Sequence, residues 1–235
     1  MPYKEPFHFK NFSLQHQQSA HKIGTDGILL GAWASHPGPR KILDVGAGCG
    51  LIALMLAQRY PRARFLGIDT HLPSVAEAHD NLHYSPYAER GTFLEANFLD
   101  WKSERKFDLI VSNPPFHPEK VVSAEVSRDQ ARRSSALPLE QLIALSAEKL
   151  TPDGRLALIL PASQAKLAIT KAAHHHLFPE RIAVVQSRAT SAPIRTLLQF
   201  NYFGQSCQVE KIILYQNDQT RHKDFQKLTG SFYLA

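Results

Sequence analysis

The stretch Lys41-Ile42-Leu43-Asp44-Val45-Gly46-Ala47-Gly48-Cys49-Gly50 narrows the possible folds more than any other in the chain. A strand-forming run leads straight into three alternating glycines, and the apolar residues from Leu51 to Tyr60 then recur at helical spacing. A strand joined to a helix through glycines is the first unit of an α/β sheet, whose ligands bind at the carboxyl ends of the strands. Glycine is needed there because the backbone must take unusual dihedrals and lie close to a ligand that a Cβ would strike. The spacing also selects among ligands. A dinucleotide loop reads G-x-G-x-x-G, whereas here the glycines fall at 46, 48 and 50 and position 51 is Leu. No G-x-x-x-x-G-K-[ST] sequence occurs, which argues against a nucleotide triphosphatase.

The same alternation continues. Strands are predicted at 64–68, 92–95, 107–111 and 155–160, the last opened by the turn Pro152-Asp153-Gly154. Helices are predicted from about Pro73 to Tyr84 and from about Pro138 to Leu150. After a further helix come Ile182–Val185, then Thr196–Phe203 and Glu210–Tyr215, read as a closing hairpin. The expected architecture is a doubly wound, mostly parallel sheet of seven strands with an antiparallel strand at its C-terminal end. With 235 residues, 43% of them hydrophobic, and no linker-like tract, one domain spanning 1–235 is expected. Residues 1–39 lie outside the alternation and read as an N-terminal flap or helical extension packed on that domain.

Composition excludes some classes. No apolar run approaches the roughly 20 residues that span a bilayer, and the N-terminus MPYKEPFHFK lacks a signal-peptide core. A soluble, cytoplasmic protein without a membrane partner is expected. Cys49 and Cys207 are the two cysteines, too few and too far apart for a disulfide framework or a metal knuckle. Consecutive residues His174-His175-His176 on a helix diverge in direction and cannot all bind one ion, so no metal is expected. Lys and Arg number 27 against 21 acids, which suits a polyanionic partner.

Nineteen residues beyond Gly50 the second strand ends in Asp69, where a carboxylate can accept both hydroxyls of a ribose. The fourth strand ends in Ser112-Asn113-Pro114-Pro115-Phe116. D-x-G-x-G-x-G with a strand-end acid resembles the S-adenosylmethionine site of class I methyltransferases, and N-P-P-F resembles the signature of those acting on planar amino nitrogens. That resemblance implies S-adenosyl-L-methionine as cofactor, with Gly46, Gly48 and Gly50 in the loop beside it, Gly46 and Gly48 lining its methionine and ribose portion, and with Asn113 on the cofactor side as well as the substrate side. Asp44 would order the loop and face the amino-acid end. Such a nitrogen is a poor nucleophile because its lone pair is delocalised into the ring. The Asn113 side-chain oxygen and the Pro114 carbonyl would each accept one N–H, and two prolines would hold both acceptors still. Phe116 would stack on the base. Where many relatives carry an aspartate after the third strand, this chain has Asn97, whose amide oxygen would take the adenine amine, with Phe98 flanking the ring and Asp100 a possible substitute acid.

Upstream, Gly24-Thr25-Asp26-Gly27-Ile28-Leu29-Leu30-Gly31-Ala32-Trp33 offers Thr25 or Asp26 as the N-cap of an apolar helix. With F-x-F-K, DVGAGCGLIALMLAQR, SNPPF, DQAR and the C-terminal FYL, it resembles the bacterial tRNA adenine-N6 methyltransferases that modify adenosine 37, just 3′ of the anticodon in tRNA1(Val), along essentially the whole chain. The resemblance adds Gly24, Thr25 and Asp26 as cofactor-site candidates and implies a tRNA anticodon stem-loop as partner of a monomeric enzyme. Phe116 departs from the more usual tyrosine. Alternatives are a glutamine-amide N5-methyltransferase of release factors, a DNA adenine-N6 methyltransferase, and a non-catalytic RNA-binding module. Arg128, Arg132 and Arg133 are candidates for phosphate contact. Phe7, Phe9 and Phe12, with Lys4 and Lys10, either stack on nucleic acid or pack the flap to the core.

Overall fold

The computed structural model of the chain describes residues 5–20, 22–115, 137–204 and 206–233. Strands β3 (Lys41–Val45), β4 (Arg64–Asp69), β5 (Gly91–Glu95), β6 (Phe107–Ser112), β7 (Leu150–Pro161), β8 (Phe178–Gln186), β9 (Pro193–Asn201) and β10 (Gln208–Ile213) form one sheet in the order β10-β8-β9-β7-β6-β3-β4-β5. Every neighbouring pair is parallel except those made by β9, which runs against both β7 and β8. A separate two-stranded pair, β1 (Phe7–His8) and β2 (Ser13–Leu14), precedes it.

The central strands β3, β4, β6 and the second half of β7 read as near-continuous apolar runs because both faces of the sheet are covered there. Alternate residues divide between two cores: Ile42, Phe65, Leu109, Val111 and Ile159 face one way, while Leu43, Val45, Leu66, Ile68 and Ile110 face the other. The first core takes in helices α1 (Thr25–Trp33), α2 (Leu51–Arg59) and α3 (Leu72–His83), and the second α4 (Leu139–Lys149) and α5 (Ala165–Ala173). A short C-terminal helix, α6 (Lys223–Thr229), packs on α1 and β10.

The sheet has eight strands rather than the expected seven, and the closing hairpin of the last two strands is not formed. β9 is flanked by β7 and β8, so neither of its edges is free for β10. The chain instead crosses the start of β8, where Gly204 lies in the left-handed region with its ideal Cβ 3.4 Å from Phe178, and β10 then runs parallel to β8. The turn at Pro152-Asp153-Gly154 is an interruption within β7: Phe107 pairs with Leu150 but Leu109 pairs with Arg155.

The N-terminal segment contributes to the core. Phe9 and Phe12 are buried and stacked, with ring centroids 4.8 Å apart, against Tyr87 and Tyr233. Glycines at 27 and 31 let α1 lie against α2. A Cβ on Gly27 would come within 2.9 Å of Leu51 Cδ2, and one on Gly31 within 2.7 Å of Met55 Sδ. The pairs 27 with 51 and 31 with 55 keep step, so the two helices run side by side in the same direction and start at the same end of the sheet.

Candidate active site

The carboxyl ends of β5, β4, β3 and β6 bring the sequence motifs together. β3 and β6 are adjacent, with Val45 opposite Ser112, so the residues that follow, Gly46 and Asn113, leave the sheet side by side. Ser112 Oγ donates to the Val45 carbonyl at 2.8 Å and ties the two exits. Asn113 is partly exposed, Pro114 is buried and Pro115 is exposed. Phe116 lies outside the described residues, as do Arg128, Arg132, Arg133 and Lys4.

Three glycines of the loop take left-handed conformations, with φ of 74° at Gly46, 54° at Gly48 and 85° at Gly50. Their surroundings differ. A Cβ on Gly46 or Gly48 would meet no atom within 4 Å, so both border open space, whereas one on Gly50 would lie 2.7 Å from Phe93 Cζ. Gly50 is therefore held by packing as well as by its role as N-cap of α2. The loop is anchored by the Gly46 and Ala47 amides, which donate to the Ile68 carbonyl at 2.8 and 3.0 Å. Asp69 adds a second anchor: its Oδ2 accepts from Gly48 N at 2.8 Å and its Oδ1 from His71 N at 2.9 Å. Asp69 stays partly exposed, so lone pairs remain for further donors.

Asp44 is fully buried beneath the loop. Oδ2 accepts from Ala53 N at 3.0 Å in the first turn of α2, while Oδ1 has no hydrogen-bond partner. Burial pushes this carboxyl up to about 7, against the help of the Ala53 amide, and Asp69 nearby adds to the rise. A buried carboxylate oxygen without a donor, beside glycines that border open space, fits the cationic amino-acid end of S-adenosylmethionine. Cys49, buried in the same loop, is pushed up to about 12 by burial and is an inert thiol.

The remaining candidates are placed as follows. Gly24, in extended conformation, is the N-cap of α1, a position expected for Thr25 or Asp26; it lacks a side-chain cap, and Thr25 opens the helix. Asp26 in the first turn accepts from Arg195 Nε on β9 at 2.7 Å. Because Arg195 pairs with Pro161 at the end of β7, this contact fixes the start of α1 at the carboxyl end of the sheet. Asn97 is engaged locally, its Oδ1 accepting from Leu99 N at 3.1 Å and its Nδ2 donating to exposed Asp100 at 2.8 Å. Phe98 is only 3% exposed and packs near Trp101 in the second core. Among the described residues, no group of three metal-binding side chains is assembled.

Gly67 is a residue the sequence reading missed. A Cβ there would lie 2.3 Å from Phe93 Cδ1 and 2.9 Å from Ala47 Cβ, so its absence lets the glycine loop settle on β4. An isolated glycine inside a buried strand was its signal.

The fold and this crevice define a class I methyltransferase, and the matches agree. Residues 22–176 match the family model described as the methyltransferase small domain. In structure the chain resembles a predicted O-methyltransferase from Agrobacterium tumefaciens, with a TM-score of 0.69 at 16% identity over 88% of this chain and 96% of that one. A glycopeptide N-methyltransferase complexed with S-adenosylmethionine gives 0.56 at 11% identity over 77% and 97%. These likenesses concern the fold alone.

In sequence, the chain is 38% identical over 98% of its length to the tRNA1(Val) (adenine(37)-N6)-methyltransferase of Christiangramia forsetii, covering 98% of that protein. It is 34% identical to the one from Bacteroides thetaiotaomicron, over 97% of each chain. The enzyme of that name from Escherichia coli O1:K1 is 37% identical, over 97% of this chain and 94% of its own. The chain belongs to the family of tRNA1(Val) (adenine(37)-N6)-methyltransferases.

Proposed function

We propose that the protein transfers a methyl group from S-adenosylmethionine to the exocyclic N6 of adenosine 37 in tRNA1(Val), and that it docks the anticodon stem-loop as a monomer. The observation that carries this reading is the β3–β6 register, which sets the exit of Asn113 beside that of Gly46. A carbon electrophile and a nitrogen nucleophile have to meet in line, so the motifs that would hold them have to be neighbours.

When bound, the cofactor supplies a methyl group activated by a sulfonium charge. Asp44, through its unpartnered Oδ1, would receive the ammonium of the amino-acid end, with Gly24, Thr25 and Asp26 beside it. Gly46, Gly48 and Gly50 would form the backbone cradle, and Asp69 would take the ribose hydroxyls. Asn97 would serve the adenine edge by opening its turn or through its second lone pair, with Phe98 backing the ring from the core.

On the substrate side, the Asn113 amide oxygen and the Pro114 carbonyl would each accept one N–H of the adenine amine. Two acceptors draw that nitrogen towards tetrahedral geometry and turn its lone pair out of the ring. Pro115 restrains Pro114 to extended backbone, so the acceptors are fixed before the base arrives. After transfer the nitrogen carries an extra proton, which water can take, so no strong general base is required. Phe116 would stack on the base, a contact worth about 1–3 kcal/mol. An anticodon loop offers unpaired bases and avoids the cost of extrusion from a duplex.

The deciding experiment incubates purified protein with labelled S-adenosylmethionine and total tRNA from a strain lacking the gene, followed by nucleoside analysis. N6-methyladenosine at position 37 of tRNA1(Val) is expected. In a parallel incubation with a release factor, labelled N5-methylglutamine in place of labelled tRNA would move the assignment, and failure to bind the cofactor would favour a non-catalytic module.

A further inference from the structure

Helix α3 carries a set of polar side chains that the reaction scheme above does not use. Ser74, Glu77 and Asn81 recur at intervals of three and four, so they share one face of the helix, and all three are buried. Buried polar groups on a helix need partners, and these find theirs in the N-terminal segment, residues 15–20. Glu77 Oε1 accepts from the backbone amides of Gln17 and Gln18 at 2.5 and 2.9 Å. Its Oε2 accepts from the Ser19 amide at 2.9 Å and from Ser19 Oγ at 2.5 Å. One carboxylate thus gathers three consecutive amides. Asn81 exchanges both hydrogen bonds of a backbone with Gln15, at 2.7 and 2.8 Å, and Ser74 Oγ accepts from Ala20 N at 3.2 Å.

The same side chains also reach the glycine loop and its carboxylate anchor. Asn81 Nδ2 donates to the carbonyl of Cys49 at 2.9 Å, inside the loop. Ser74 Oγ lies 2.8 Å from His71 Nδ1, and His71 N donates to Asp69, whose other oxygen holds Gly48. The strap is therefore tied at one end to Cys49 and at the other to the Asp69 corner. Residues 22–24 lead directly into the start of α1.

We infer that Glu77 and Asn81 are positioning residues that hold residues 15–20 as a wall of the cofactor crevice, so that strap order and S-adenosylmethionine binding are coupled. The inference rests on the proposed reading of the glycine loop as the cofactor site. Neither side chain touches the reacting atoms. Their effect falls on cofactor affinity, because the side chains that hold the strap, Asn81 and Ser74, also hold the Cys49 carbonyl and the His71–Asp69 corner of the loop.

The test is Glu77→Gln. Its amide would point a donor at the Ser19 amide and hydroxyl, where the carboxylate accepted both. Two readouts are needed: the Kd for S-adenosylhomocysteine by calorimetry, and hydrogen exchange at the amides of residues 17–19. In the wild type, saturation with S-adenosylhomocysteine should slow exchange at those three amides. In the variant they should exchange faster while the amides of β3 do not, and Kd should rise about tenfold, the equivalent of one charge-assisted hydrogen bond. At saturating cofactor kcat should stay within about threefold of wild type, since the loss is in ground-state binding. Faster strap exchange with an unchanged Kd overturns the inference, because the strap would then be a structural attachment only. If Glu77→Gln does not fold cooperatively, Ser19→Ala decides by the same two readouts, with a smaller rise in Kd expected. Wild-type protein that does not bind S-adenosylhomocysteine at all overturns the cofactor reading itself, a result distinct from either variant outcome.

Discussion

Asp44→Asn should make the ligand-free protein more stable at alkaline pH while it weakens cofactor binding. Burial raises this carboxyl from its ordinary value of 3.8 to about 7. A carboxyl raised on folding contributes stability that is complete below about pH 4 and lost as pH climbs through about 7. At pH 8 the ionised group costs the fold about 4 kcal/mol relative to the protonated one. Asparagine carries no charge and keeps the oxygen that accepts from Ala53 N, but its amide N–H₂ then occupies the place of the unpartnered Oδ1. An unmet buried donor returns about 1–3 kcal/mol of that gain. The net effect at pH 8 is a stabilisation of about 1–3 kcal/mol, equivalent to a rise in Tm of roughly 2–12 °C for a chain of this size. At pH 4, where the wild-type group is protonated, the rise should vanish or reverse. Thermal unfolding of both proteins at pH 4, 6 and 8 without ligand, paired with calorimetric titration of S-adenosylmethionine at pH 8, makes the test. The variant should lose about tenfold or more in affinity, because a charge partner for the ammonium is gone. A Tm that falls equally at every pH, or an affinity that does not change, refutes the assignment of Asp44 as a charge held ready for the cofactor.

Gly48→Ala and Gly50→Ala should separate binding from folding. The first places a Cβ in open space at a cost of about 1–2 kcal/mol for the left-handed backbone, and should raise the Kd of S-adenosylhomocysteine most. The second adds a clash with Phe93 and should lower the urea midpoint by a further 1–3 kcal/mol equivalent, about that of an overpacked core. Gly31→Ala in α1 should destabilise by about 1–3 kcal/mol in the same assay, despite its better helix propensity, because its Cβ would lie 3.0 Å from Met55 Cβ. Asn113→Ala should change cofactor Kd far less than it reduces kcat on tRNA, which should fall by about 10²–10³, the loss seen when one preorganised polar contact to a reacting group is removed; single-turnover methyl transfer checks it.

Much of this fold is legible in the order of residues because its elements are local. The β3 and α2 boundaries, the helix with Pro73 in its first turn, and β6 follow from runs of five to twelve residues and the glycines or prolines beside them. The candidate crevice is legible for a related reason. In a parallel sheet every strand delivers its following loop to the same edge, so Gly46, Asp69, Asn97 and Asn113 share one end of the sheet once four strands are identified.

Pairing is another matter. Apolar runs at 182–185, 196–203 and 210–215 announce strands without saying which edges they meet, and the tertiary structure seats β9 between β7 and β8 and sends β10 to the outer edge. The Glu77 and Asn81 contacts with residues 15–19 span 58 to 66 positions, and no local pattern encodes a partner at that distance. The state of Asp44 is likewise a property of the folded molecule. Its identity was written in the chain, but the burial that lifts its carboxyl and leaves one oxygen without a donor arises only when α2 closes over β3. Sequence set the elements and the chemistry each one carries, because those depend on neighbours along the backbone. Tertiary structure set edges, straps and ionisation, because those depend on which distant groups displace water from a given atom.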